Sequence, residues 1–196
     1  MPKSYSEQER EYIKQRLKEE AAKCLAQYGV RHTTVDEIVQ RVNIPKGTFY
    51  LFYKSKELLL FDAIQEQHET VNRELYQAIS NLADGELSAE KLTDVILEFY
   101  KMTEKMPILK LTNLGEVELL ARKLPQEIVV EHLQDEKNTI EKMLALLPVK
   151  KEIDIKVMSA VFHTIYYATL HKTEIGEEQY DAALRTIIYG IVIQFI

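Results

Sequence analysis

The chain has 196 residues, 46% hydrophobic and 29% charged, with a formal net charge of −6, six Gly, five Pro and a single Cys. That length can bury a core of its own, the lone cysteine excludes an internal disulfide, and the scarcity of two-residue alternation points to an all-α chain. The opening MPKSYSEQ holds no apolar signal segment, and the longest apolar run, Ile187 to Ile196, is about half of the roughly 20 residues that span a bilayer, so a cytoplasmic protein with no membrane segment is expected.

Charge divides the chain. Residues 1–56 hold 11 Lys and Arg against 7 Asp and Glu, and the remainder hold 14 against 24. A basic amino-terminal module on an acidic body suits a protein that grips phosphate at one end only. The first helix is predicted from about Glu7 to Tyr28, with Ile13, Leu17, Ala21, Leu25 and Tyr28 at helical spacing and Gly29 as its stop. Cys24 falls on this apolar stripe and reads as a small buried hydrophobe rather than a reactive thiol.

The next stretch, Thr33 to Leu59, organises the rest. Thr34 is placed to cap a helix whose apolar residues Val35, Ile38, Val39 and Val42 recur at three- and four-residue steps. Asn43 tolerates the left-handed conformation that a tight turn needs, and Pro45 presets φ for a new helix. That helix is predicted to expose Lys46, Gly47, Thr48 and Tyr50 while Phe49 and Phe52 pack inward. Gly47 costs a helix roughly 1 kcal/mol relative to Ala, which implies that another surface comes close there. Two short helices joined in this way have the layout of a helix-turn-helix DNA reader.

A long helix is predicted to start after Ser55, with Glu57 in its first turn, and to run to about Ile79, ahead of a loop at Asp84-Gly85. Ser88 opens the next helix, with Leu92, Val95, Ile96, Phe99, Met102 and Met106 on its stripe and a break at Pro107. A short or interrupted helix is expected between Ile108 and Lys123, and another from Pro125 to Leu147. The last two helices, about Glu152–Lys172 and Glu177 to the end, carry apolar stripes too wide for one neighbour, which suggests a subunit interface built as a four-helix bundle.

The combination of Gly29, Thr33-Thr34, Ile38, Asn43-Ile44, Lys46-Gly47-Thr48-Phe49-Tyr50 and Lys54-Ser55-Lys56-Glu57-Leu58 resembles the TetR family of bacterial transcriptional regulators over roughly the first 60 residues. The resemblance implies a helix-turn-helix domain over residues 1–54, a larger ligand-binding and dimerisation domain over 55–196, and a homodimer joined through the last two helices. It further implies binding to a pseudo-palindromic operator in double-stranded DNA, and repression that a small hydrophobic effector relieves. An activator, or a regulator controlled by a partner protein, remains open within the family, and a helical interaction module without DNA binding remains open outside it. Thr34, Lys46, Gly47, Thr48, Tyr50, Lys54 and Lys56 are the implied DNA contacts, with Lys56 pinning a phosphate at the start of the long helix. Asn43 stands where the family commonly has Gly and Pro45 where it has Ser. Phe52-Tyr53 inverts the common Tyr-Phe order, so the role of Tyr53 stays open between phosphate contact and core.

Phe99, Tyr100, Met102, Met106, Glu116, Phe162, His163, Tyr166 and Tyr167 are the candidate ligand-pocket residues. Aromatic and Met lining suits an apolar ligand, either a lipophilic cation held by Glu116 or Glu118 or a fatty-acyl molecule. Core filling is the plainer reading of the same side chains. His68, His132 and His163 lie on or beside apolar stripes without zinc-helix spacing, and no phosphate loop, nucleophile elbow or dinucleotide fingerprint appears, so no enzyme activity, metal or cofactor is expected.

Overall fold

In the computed structural model, residues 5–83, 87–106, 114–148, 150, 152–169 and 171–196 are described, and they are all-α. Their elements are α1 (Glu7–His32), α2 (Val35–Val42), α3 (Lys46–Phe49), α4 (Lys56–Ala83), α5 (Ala89–Thr103), α6 (Leu114–Lys123), α7 (Gln126–Leu144), α8 (Ile155–Thr169), α9 (Lys172–Ile175) and α10 (Glu177–Phe195). The loop expected at Asp84-Gly85, the break at Pro107 and the stretch 108–113 lie outside the described residues.

The chain forms two compact units, Met1–His68 with Met106–Val129, and Glu69–Lys105 with Val130–Ile196. The sequence placed a boundary between residues 54 and 55. What joins α6 to the first unit is apolar packing: Leu120 and Leu124 share one core with Leu17, Leu25, Ile38, Phe49, Leu59 and Leu60. No local pattern could have announced that partnership.

In the first unit, α1 opens on a capping box. Glu9 N–H donates to Ser6 Oγ at 3.2 Å, and Ser6 N–H donates to the Glu9 carboxylate at 2.8 Å. The regular helix breaks at Gly29, at φ 71°, ψ −179°, a region that only glycine occupies without strain, and a further short helical stretch follows to His32. Cys24 is fully buried, and burial pushes its thiol up. Thr34 caps α2 by accepting from Glu37 N–H at 3.1 Å, and Asn43 closes it at φ 60°, ψ 48°. Because Asn43 is left-handed, Asn43→Gly is expected to be close to neutral, whereas Asn43→Val costs about 1–2 kcal/mol. Chemical denaturation of the two variants checks this, and equal midpoints would contradict it.

The second unit packs α5, α8 and α10 around Leu92, Ile96, Tyr100, Phe162, Ile165, Leu184, Ile188 and Val192. Ser88 caps α5 through Lys91 N–H at 3.2 Å. Tyr189 hydroxyl donates to Glu90 at 3.2 Å, and Arg185 pairs with Asp94, so polar contacts line the rim where α10 meets α5. Lys150 Nζ donates to the carbonyls of Ile193 and Gln194 at 3.4 and 3.2 Å, which satisfies orphan acceptors at the end of α10. Val157 and Tyr167 of α8 and Ile187 and Ile193 of α10 stay 59%, 57%, 52% and 48% exposed. Among the described residues, no helix is long and apolar enough to cross a membrane.

Candidate nucleic-acid interface

The site is built on α2, a left-handed turn, and α3. Ile38 and Val39 bury one side of α2, and the left-handed Asn43 turns the chain so that Ile44 N–H reaches back to Val39 C=O at 3.0 Å. α3 has only four helical residues and no side-chain cap, since Pro45 occupies the cap position. An isolated helix needs roughly 12–15 residues to persist, so tertiary contacts hold this one. Phe49 is fully buried, with Tyr50 packed edge-on at 5.2 Å between ring centroids. Leu51 N–H, Phe52 N–H and Tyr53 N–H continue the turn by bonding to Thr48 and Phe49 carbonyls at 3.1, 2.9 and 3.0 Å.

The predicted contact residues separate on inspection. Thr34, Lys46, Gly47, Tyr50 and Lys54 are exposed. Lys46 Nζ pairs with Asp36 at 2.9 Å, a contact that ties α3 to α2 and raises the Lys46 pKa. A Cβ built on Gly47 meets nothing within 4 Å, so no neighbour inside the protomer requires glycine there. The space it leaves faces outward.

Two residues depart from their expected placement. Thr48 is buried, with its hydroxyl 3.4 Å from that of Tyr5, because the side of α3 it occupies faces Tyr5, two residues before the start of α1. Lys56 is turned inward. Its Nζ donates to Val30 C=O at 2.7 Å and Thr33 C=O at 2.6 Å, and desolvation lowers its pKa. Tyr53, left open by the sequence, is core: its hydroxyl donates to Asp62, and burial with that carboxylate pushes its pKa up. Exposed Leu51, directly after Tyr50, and Arg10, whose guanidinium lies 5.2 Å over the Phe52 ring, were not singled out by sequence. Only the exposure of Leu51 in an otherwise apolar position marks it, and that is a tertiary fact.

The expected pocket residues are shared between the two compact units. In the second unit Tyr100 donates to Phe162 C=O at 2.9 Å and packs edge-on with Phe99 at 5.5 Å, while burial pushes its pKa up. His163 Nδ1 lies 3.1 Å from Ser159 C=O, and Tyr166 packs against Tyr167, itself exposed to solvent. Met102 is half-buried. Met106 and Glu116 belong to the first unit, where Glu116 Oε1 pairs with Arg31 Nε at 3.0 Å. The Glu116 carboxylate therefore already has a cation as its partner. An open groove of the second unit is lined by Asn138, Glu141, Lys142, Ala145 and Ile153–Lys156, and includes none of the expected pocket residues. Among the described residues, no group of three or more His, Cys, Asp or Glu could hold a metal ion.

A buried-Phe turn carrying an exposed Lys-Gly pair and Tyr, on a capped α2, defines a helix-turn-helix protein. Residues 17–63 match the family described as bacterial regulatory proteins, tetR family. YhgD, an uncharacterised HTH-type transcriptional regulator of Bacillus subtilis (strain 168), is 34% identical over 92 residues, which are 45% of this chain and 46% of YhgD. The chain spans less than half the length of the curated relatives it matches. The fold extends further than the sequence likeness. SmeT, the repressor of the Stenotrophomonas maltophilia multidrug efflux pump SmeDEF, superposes with a TM-score of 0.63 at 17% identity over 92% of this chain and 88% of its own. A structure from Mesorhizobium loti, described as a candidate TetR-family regulator, gives 0.75 at 12% identity over 94% and 97%.

Proposed function

We propose that the chain is a DNA-binding transcriptional regulator that acts as a homodimer, represses from a two-fold symmetric operator and leaves it when a small hydrophobic ligand binds. The observation that carries the DNA-binding reading is the division of α3: Thr48 and Phe49 are buried while Lys46, Gly47 and Tyr50 stand in solvent. An exposed tyrosine and lysine beside a glycine that makes no close contact offer phosphate and base-edge partners without a steric barrier. The dimer is supported by the exposed apolar residues of α8 and α10 and by half-buried Gly190 between Ile187 and Ile193, where a Cβ meets nothing within 4 Å. Glycine there costs α10 roughly 1 kcal/mol, which close approach of a second helix explains. The hydrophobic ligand is supported by SmeT, which also has a structure as a triclosan complex with a TM-score of 0.56 to this chain.

Two protomers place two α3 helices on half-sites about 34–36 Å apart. Purified protein is therefore expected to shift its own upstream DNA with strong salt dependence, and Lys46→Ala to lower the salt slope by about 1 per protomer. Tyr50→Ala weakens binding by roughly 1–3 kcal/mol per half-site if the ring meets a base. Fluorescence anisotropy at several salt concentrations measures both. Wild-type protein that shows no sequence preference at any salt would refute the reading, and a reporter assay with added triclosan-like ligands tests release.

A further inference from the structure

We infer that Lys56 and Glu116 are positioning residues that clamp the chain reversal between α1 and α2, and that Lys56 serves DNA reading through this clamp and not through a phosphate contact. The inference rests on the DNA-binding reading given above.

The reversal is residues 30–33. Gly29 breaks the helical course of α1, so carbonyls just beyond it lose their regular partners. Thr33 Oγ1 donates to Gly29 C=O at 2.6 Å, and Lys56 Nζ reaches from the first residue of α4 to Val30 C=O and Thr33 C=O at 2.7 and 2.6 Å. An ammonium set among carbonyls at the end of a helix is favoured by the local dipole as well as by two charge-assisted hydrogen bonds. From the other side, the Glu116 carboxylate of α6 accepts from Arg31 N–H at 3.0 Å and pairs with Arg31 Nε at 3.0 Å. Donors and acceptors of one short segment are thus held by two opposite charges from two different helices, α4 and α6.

Thr34 follows this segment directly and starts α2, whose residue Asp36 in turn holds Lys46 of α3. The orientation of the reading face is therefore set through 30–33. Turning Lys56 toward a phosphate would leave two partly enclosed carbonyls without their donor, and desolvation of its ammonium is consistent with the inward placement.

The test uses the full chain and a duplex from its own upstream DNA, with affinity measured across a salt series for wild type, Lys56→Met and Glu116→Gln. Methionine keeps the stem and removes the charge, and Glu116→Gln keeps the shape of a residue that lies on α6. Positioning predicts that both variants, folded by circular dichroism, bind about tenfold or more weakly, as expected when one or two contacts per half-site are displaced, with the salt slope unchanged. A phosphate role for Lys56 predicts instead a slope reduced by about 1.8 for the dimer, and that result overturns the inference. Wild-type affinity in folded variants also overturns it, since the clamp would then serve stability alone. If Lys56→Met does not fold, Glu116→Gln decides by the same criteria. Failure of wild type to bind any duplex refutes the DNA-binding reading itself and the inference with it, and is seen before any variant is compared.

Discussion

Phe49→Ala is expected to lower the stability of the first unit by about 3–5 kcal/mol, the usual cost of emptying a fully enclosed phenylalanine site. Phe49 is 0% exposed and sits in one core with Leu17, Leu25, Ile38, Leu59 and Leu60. Typical domains hold only about 5–15 kcal/mol in reserve, so this one change removes a large share. The effect is compounded by the brevity of α3: with four helical residues and no side-chain cap, the segment has little to hold it once its anchor is gone. Urea denaturation followed by circular dichroism reads the loss as a lower midpoint at unchanged slope. Operator binding should disappear at concentrations where much of the chain's helicity persists, because the second unit has its own core. A midpoint within experimental error of wild type would show that Phe49 is not the anchor described.

Ile187→Glu is expected to act in the opposite manner, sparing the protomer and breaking the pair. Ile187 is 52% exposed in the single chain, so a glutamate there disturbs little of the fold. In a helix-to-helix interface the same carboxylate is desolvated with no partner, a cost that a modest contact surface does not absorb. The protein should sediment as a monomer while its thermal transition changes little. Operator affinity should fall by about 10²–10⁴, the advantage that linking two half-site readers ordinarily confers. A variant that stays dimeric and keeps wild-type affinity would show that the pair forms through another face.

These two residues also mark what sequence could and could not disclose. The turn at Asn43, the Thr34 cap and the inward Phe49 follow from chemistry within a few positions, and the structure places them as that chemistry dictates. The apolar width of α8 and α10 was equally legible, because four-residue spacing alone reveals it. Thr48 was misplaced since a helix of four residues barely establishes a periodicity, and the contact that decides its side comes from Tyr5. The partners of Lys56 and Glu116 were hidden for a stronger reason. They lie 23, 26 and 85 residues away in sequence, and a charged residue near a helix start reads as solvent-facing until the chain reversal it serves is seen. The membership of α6 in the first core was hidden likewise, as nothing in Leu120 or Leu124 names the surface they join.

The division of labour along α3 has an evolutionary consequence. Thr48 and Phe49 secure the segment, while Gly47, Tyr50 and Leu51 project outward from it. Under the proposed DNA-reading role, substitutions at the outward positions change which DNA sequence is preferred with little penalty in folding, and descendants of this chain acquire new operators one side chain at a time. Lys46 is the exception, since its bond to Asp36 couples any new reading residue at that position to the junction with α2. Retargeting should accordingly run first through positions 47, 50 and 51, and reach 46 only together with a compensating change at 36.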